Sequence, residues 1–476
     1  MPSSVMPSSR PARGLRLART GTVVAAGLLA AALAPTALPA SAAASLPVPR
    51  AAVARTAGLD AAVSRADAAV SRADAGDVYL AAGLRGANEV GVKGDADGRA
   101  TVVLRVSGDR VAFAIRWNKI GSPTAAHIHL GARGANGDVR LEFLTKPLPA
   151  GVLGVSGAVD ADPELVRALV EDPGGFYANV HDARHPKGAV RGQFHRLAAP
   201  ADLDGVLQGS NRATLSSRAD GAQEVRAKDG GRRGDKDGRA VWWLRPHGGT
   251  VGYTALWSGL APVTNGHIHK GARGRDGAVV ADLFAAPKGL PAGITGVAGE
   301  ARVPAAVVRR IAAHPGRYYS NLHTTEFGGG AVRGQLSGRP FAHPRAVTAD
   351  VLRGAQIYAC TKQPGGGYAF TQDGVRATLR RGIAHSFVTP AAGPPQWIAP
   401  DGSAVRGKVV TKTPNGERAI PELVLAATRS GAKGGLLSRV TQVLRLNTEG
   451  GLAPAGSCEP GRKASVPYRA DYLFLN

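Results

Sequence analysis

Cysteine is nearly absent: the 476-residue chain has two, Cys360 and Cys458. That excludes thiolate-rich zinc modules and cysteine-dense secreted scaffolds. The pair is expected as one disulfide closing a loop of about 100 residues, which contributes roughly 4–5 kcal/mol in the chain-entropy model; two buried free thiols are the alternative. Aromatic residues make up 5% of the chain and nowhere alternate with basic ones along a segment. No helix-turn-helix, zinc-finger or RNA-binding signature is present, so specific nucleic-acid recognition is not expected. Acidic residues are outnumbered 35 to 59. No apolar run beyond Leu33 approaches the roughly 20 residues that a membrane-spanning helix needs. Paired carboxylates, a serine elbow and a phosphate-binding loop are also missing, and no enzyme activity is expected.

The formal net charge of +24 is spread along the chain. It suits attraction to an anionic envelope polymer as well as it suits plain compositional bias. The N-terminus groups Arg10, Arg13, Arg16 and Arg19, then an apolar run from Thr22 to Leu33, then the small residues Ala40 to Ala44. This is the order of a secretory signal peptide, with residues 1–42 removed by cleavage near Ala42 and Ala43. Losing the four arginines takes the net charge to +20 (24 − 4). Residues 43–77 are Ala-rich, with Ala61–Asp67 duplicated as Ala68–Asp74. One apolar position per heptad is too few for a coiled coil, so a disordered or partly helical linker is expected.

A domain-sized repeat follows. His127-Ile128-His129 returns as His267-Ile268-His269 at an offset of 140 (267 − 127), and Trp117 returns as Trp257 at the same offset. Asn179-Val180-His181 returns as Asn321-Leu322-His323, and Val190-Arg191-Gly192-Gln193 as Val332-Arg333-Gly334-Gln335, both at 142 (321 − 179). Small drifts of this kind are what surface-loop insertions cause. Residues 110–117 alternate apolar and polar positions as a strand does, 100–106, 140–144 and 176–180 read as further strands, and 189–197 is a candidate to close the sheet, with one helix at 163–170 and its partner at 304–313. The fold class is therefore all-β: two β-sandwich-like repeats at 78–198 and 213–340, joined by a linker at 199–212. A third β-rich domain at 350–476 follows a linker at 341–349.

On a strand, residues i and i+2 point to the same face. His127 and His129 thus project together, as do His267 and His269, and His181 and His323 are candidate third members. Three imidazoles suit copper or zinc at about 2.0–2.1 Å. The alternative is that they organise the Gly-rich turn that follows. Asn179 and Asn321 are candidate strand caps, and Arg191 and Arg333 are suited to hold backbone carbonyls or an acidic partner.

The HIHxGARGxxGxV segment, with NxH and VRGQ later in each copy, resembles the CHRD domain. That resemblance implies an extracellular β-rich module engaged in protein binding. A His-x-His strand pair also occurs in copper–zinc superoxide dismutases, but their bridging histidine and zinc-binding aspartate loop are not evident here. The stretch from Leu352 to Cys360, then Ile420-Pro421, Thr448 to Cys458 and Tyr468 to Phe474, is similar to the DUF3455 family. It departs at Glu422, where an aromatic is expected. In this part His385, Trp397 and Asp401 either line a site or serve as a core anchor (Trp397) and a turn (Asp401). The resulting expectation is a secreted binding protein with an extracellular protein or anionic polymer as partner. A copper- or zinc-binding or dismutase-like protein, and a charge-held envelope component, are the alternatives.

Overall fold

The computed structural model describes residues 76–209, 212–225, 234–341, 346–391 and 393–476. The expected signal segment, its expected cleavage site and most of the Ala-rich linker lie outside these residues. Repeat 1 contains β1 (Val78–Arg85), β2 (Arg99–Ser107), β3 (Arg110–Asn118), β4 (Pro123–Leu130), β5 (Val139–Leu144), β6 (Val152–Asp160), β7 (Phe176–Asp182), β8 (Val190–Gln193) and β9 (His195–Arg196). All its pairings are antiparallel. They run β6-β3-β2-β1 on one side and β5-β4-β7-β8 on the other, joined by Arg85↔Arg191 of β1 and β8. The first helix, α1 (Pro163–Glu171), starts where Asp162 accepts from the Glu164 and Leu165 amides, with proline in the first turn where its missing N–H costs nothing.

Repeat 2 runs through β10 (Leu215–Asp220), β11 (Arg239–His247), β12 (Thr250–Ser258), β13 (Val263–Lys270), β14 (Val279–Ala285), β15 (Ile294–Arg302), β16 (Tyr318–Thr324) and β17 (Val332–Gln335). It pairs in the same pattern. The connection between the repeats, expected as a plain linker, carries a short helix, α2 (Leu203–Gln208), whose Leu203, Val206 and Leu207 are buried. The helix of repeat 2, α3 (Ala305–Ala313), begins one residue after Pro304.

The two repeats share one continuous sheet. Strands β6 and β15 pair edge to edge, Val155 opposite Val297. Glycine makes this contact: a Cβ on Gly157 would sit 2.2 Å from the Gly293 carbonyl oxygen, and one on Gly299 would sit 2.3 Å from that of Gly151. A single apolar core accordingly runs through both copies, from Phe113 and Phe143 to Trp242, Tyr253 and Phe284.

The third domain is an eight-stranded antiparallel barrel closed on itself. Its strands are β18 (Val347–Lys362), β19 (Tyr368–Leu379), β20 (Ile383–Phe387), β21 (Pro395–Ile398), β22 (Ser403–Thr413), β23 (Glu422–Gly431), β24 (Gln442–Gly450) and β25 (Lys463–Leu475), with β25 returning to β18. Cys360 and Cys458 form a disulfide, their Cα atoms 5.8 Å apart. Trp397 is a core anchor at 1% exposure, and His385 stacks on it at 4.5 Å. Asp401 forms a turn by accepting from the Ser403 amide and hydroxyl.

Barrel and repeat 1 are packed together. Tyr79, Ala81, Val103, Leu197 and Val206 bury against Val424, Leu444, Leu446, Leu473 and Leu475. Around this apolar patch Arg85 donates two bonds of 2.8 Å to the Asp471 carboxylate. Glu422 stands where an aromatic was expected because this position faces repeat 1 and not the barrel core. It is 2% exposed and receives Arg133 at 2.6 Å and His195 at 3.0 Å. Burial pushes its carboxyl pKa up, but the bonds from His195, Arg133 and the Asn447 amide outweigh that and leave it below the usual value.

Candidate metal centre

Strands β4 and β7 lie side by side, with His127 opposite Asn179 and His129 opposite Tyr177. Ile128 points into the core, so the strand period turns both flanking histidines to the outer face, where His181 joins them from β7. In each repeat the structure brings the three histidines together: one ring nitrogen from each of His127, His129 and His181 lies within 4.8 Å of the others, and likewise for His267, His269 and His323.

The outward nitrogens fix which atoms face inward. His129 Nδ1 donates to the Gly137 carbonyl at 3.0 Å, and His181 Nδ1 to that of Pro186 at 3.1 Å. A carbonyl only accepts, so both rings carry their proton on Nδ1 and turn the lone pair of Nε2 inward. In repeat 2, Gly277 and Gly328 do the same for His269 and His323, both at 3.0 Å. The third ring faces a carboxylate: His267 Nε2 is 3.3 Å from Asp282, and His127 Nε2 is 3.8 Å from Glu142. Each inward set is then Nδ1, Nε2, Nε2. Outer partners of this kind orient the imidazoles of metal sites.

His127 Nδ1 and His181 Nε2 are 3.3 Å apart, and His267 Nδ1 and His323 Nε2 are 3.1 Å apart. Two nitrogens on one tetrahedral ion at 2.0–2.1 Å would be about 3.3 Å apart. Without a cation, a proton on the Nδ1 of His127 bridges that gap. An ion could take its place only with that proton moved to Nε2, which faces Glu142. The buried Nε2 of His129 and of His269 has no hydrogen-bond partner among the described residues. Burial, reinforced by the neighbouring imidazoles, lowers the pKa of His127 and of His267 to about 4. It also lowers those of His129, His181, His269 and His323. Each of these shifts favours the neutral imidazole, the form that can ligate.

The loop after β4 is part of the site. A Cβ on Gly137 would lie 1.6 Å from the Leu130 carbonyl oxygen, and one on Gly277 would lie 1.6 Å from that of Lys270. Only glycine closes the turn that presents its carbonyl to His129. Arg191 holds this loop through the carbonyls of Ala132 (3.2 Å) and Ala135 (2.5 Å), which is the backbone role expected of it. Asn179 does not cap a strand; it donates to Glu89 at 3.2 Å.

A scan of family models matches the CHRD domain at residues 80–194 and 215–336, and a protein family of unknown function, DUF3455, at 341–476. The chain is two CHRD domains followed by a DUF3455 domain. No curated protein and no solved structure matches it.

In both CHRD domains a tyrosine completes the site, and the sequence reading missed it. His129 stacks on Tyr177 at 4.7 Å, and Arg191 covers the other face of that ring at 3.4 Å. His269, Tyr319 and Arg333 repeat the stack at 4.8 and 3.5 Å. The signal was present: Tyr177, Asn179 and His181 alternate on one strand face, and Tyr319, Asn321 and His323 match them. A further group in the first CHRD domain, Asp95, Asp182 and His185, is already satisfied. Asp182 accepts from the amides of Gly121, Arg184 and His185, and Asp95 from those of Asp97 and Gly98. Thr324 and Phe327 stand at the matching places in the second CHRD domain, so we assign this group to turn structure.

Proposed function

We propose that this protein is an exported binding protein in which each CHRD domain holds one divalent d-block ion, zinc or copper, on three imidazoles. The observation that carries the reading is the repeated set of three inward ring nitrogens, with two rings of each set held by a backbone carbonyl on their far side. An all-nitrogen donor set favours zinc or copper over calcium or magnesium, which prefer oxygen. Three neutral ligands leave the ion's charge uncompensated and one coordination position open, which suits capture of a partner's carboxylate or imidazole. Export is supported by the N-terminal charge and apolar pattern and by the Cys360–Cys458 disulfide. CHRD domains are extracellular-type binding modules, and no helix among the described residues is long and apolar enough to cross a membrane. Neither family description denotes an enzyme, and the reading includes no catalytic step.

Competition titration of metal-stripped protein with zinc against a chromophoric chelator tests this. Two ions per chain are expected, and none for the double variant His129→Ala/His269→Ala. Near-zero zinc and copper uptake after metal-replete refolding would refute the reading.

A further inference from the structure

Each CHRD domain encloses a glutamate that the histidine site does not use. Glu89 follows a single 3-10 turn (Gly86–Asn88), and Glu224 follows its counterpart (Gly221–Gln223). Glycines wall both side chains. A Cβ on Gly188 would lie 2.6 Å from Glu89 Oε2, and one on Gly94 would lie 2.7 Å from Glu89 Cγ. In the second domain a Cβ on Gly330 would lie 2.6 Å from Glu224 Oε1, and one on Gly234 would lie 2.6 Å from Glu224 Cγ. Gly188 and Gly330 share a φ of 136°, which residues with a side chain rarely adopt. Each carboxyl is thus pressed against backbone.

An ionised carboxylate leaves the polar atoms of these slots unsatisfied. Asn179 Nδ2 donates to Glu89 Oε2 at 3.2 Å, and Asn321 bonds the Glu224 carboxyl in the same way. Glu89 Oε1 and Asn179 Oδ1 remain buried with no hydrogen-bond partner among the described residues, and so do Glu224 Oε1 and Asn321 Oδ1. All of these atoms are acceptors, and the same pair is orphaned in both copies. Arg191 stands near but commits its donors to Asn136 and the Ala132 and Ala135 carbonyls. Arg333 does the same with Asp276 and the Ala272 and Arg275 carbonyls. A proton on Oε1 resolves each set: that oxygen becomes a donor, and the asparagine Oδ1 is the acceptor left for it. The arginines set positive charge beside each slot, which opposes a metal cation there but not a shared proton that leaves the pair neutral. Burial supports the same assignment. It raises the pKa of Glu89 to about 7 against the lowering by Asn179, Arg191 and His185. It raises that of Glu224 to about 7 against Arg333 and Asn321, with Asp276 and Asp220 adding to the rise.

We propose that Glu89 and Glu224 are proton-binding sites, each held as the neutral acid by two hydrogen bonds to Asn179 or Asn321, in a latch that closes on a proton and opens when the proton leaves. Once it leaves, two acceptors face each other. A new charge then stands beside the arginine that holds the loop behind His129 or His269. In the first domain the latch also adjoins the barrel. Asn88, next to Glu89, donates to the Arg191 carbonyl at 3.0 Å and to Asn447 Oδ1 at 2.9 Å. A carboxyl whose folded pKa is raised contributes stability that is complete below its ordinary value of 4.5 and is lost as pH rises through about 7. The latch is therefore closed in mildly acidic surroundings and released in alkaline ones. This inference does not depend on metal at the histidines.

The test uses the full-length mature chain, kept metal-free with chelator and labelled with carbon-13 at the glutamate carboxyls. Carbon NMR follows their titration. Two carboxyls are expected to titrate near pH 7, with Glu89→Gln removing one and Glu224→Gln the other. Glutamine reproduces the neutral acid, because its amide donates to the asparagine oxygen and accepts from the asparagine amide. Both variants are therefore expected to fold. Urea unfolding at pH 5 and pH 8 gives the second readout. Between these the folding equilibrium constant of wild type is expected to fall about tenfold or more relative to each variant. Phe327 stands where the first domain has His185, so the second domain reports Glu224 without that imidazole beside it. The inference is overturned if no glutamate carboxyl of wild type titrates above about pH 6. It is equally overturned if the folded glutamine variants are less stable than wild type at pH 8, the sign of a carboxylate held by its arginine, or if they keep the pH dependence of wild type.

Discussion

At His129 the ring is fixed on every side: Gly137 takes the proton of Nδ1, Tyr177 covers one face, and Nε2 is left buried and bare. The neighbouring carboxylates do similar work for the first ring of each set. Asp282 lies closer to His267 than Glu142 does to His127. Asp282→Asn is therefore expected to weaken metal binding in the second CHRD domain by about tenfold, and Glu142→Gln to have a smaller effect in the first; titration of variants with the other site disabled checks both. A different histidine governs acid stability. Burial lowers the pKa of His385 to about 3, with the bond to the Gln396 carbonyl opposing the shift. Below pH 6.5 the unfolded chain takes up a proton that the folded barrel refuses. The stability that neutral His385 contributes is complete above pH 6.5 and is lost progressively as pH falls toward 3. Urea melts across that range should show a shallower pH slope for His385→Phe than for wild type, and equal slopes would contradict the assignment.

The turn after the His-x-His strand shows how an element turns sequence into a site. Its glycines were legible as turn residues, but the need for glycine at Gly137 comes from a carbonyl 1.6 Å from any added Cβ, which only the folded loop reveals. Gly137→Ala is expected to displace the loop, abolish metal uptake by the first CHRD domain and leave the second filled, so that one ion per chain remains; it should also cost about 2–4 kcal/mol. Strand β3 was readable because its apolar and polar positions alternate with the period of a strand, and helix α1 because Asp162 and Pro163 mark its start. The histidine pairs were readable because a strand has period 2. Tyr177 was missed because strand alternation places it on the face of His181 but does not show what its ring packs against. The β6–β15 pairing was hidden for another reason: partner choice between edge strands depends on glycine clearance between distant segments and not on local pattern.

At the scale of the whole molecule the three domains are one packed body, and Glu422 shows why this was hard to foresee. In the sequence it was a departure from an aromatic position; in the fold it anchors the barrel to Arg133 of the first CHRD domain, in the same loop that supplies the Gly137 carbonyl. Glu422→Ala strands a partly buried arginine and is expected to cost about 3 kcal/mol in global stability, with Glu422→Gln recovering part of it; denaturant unfolding measures both. Removing the disulfide by Cys360→Ser/Cys458→Ser lifts the constraint on a sequence separation of 98 residues and should cost roughly 4 kcal/mol in the chain-entropy model. The claim on which the functional account stands is that each CHRD domain carries its own ion. Anomalous diffraction at the zinc edge from crystals grown with zinc tests it most directly. The account expects two peaks per chain, one about 2.1 Å from His127 Nδ1, His129 Nε2 and His181 Nε2, the other equally placed among His267, His269 and His323. Crystals whose imidazoles remain bonded to one another, with zinc only at other surface sites or absent, would contradict it.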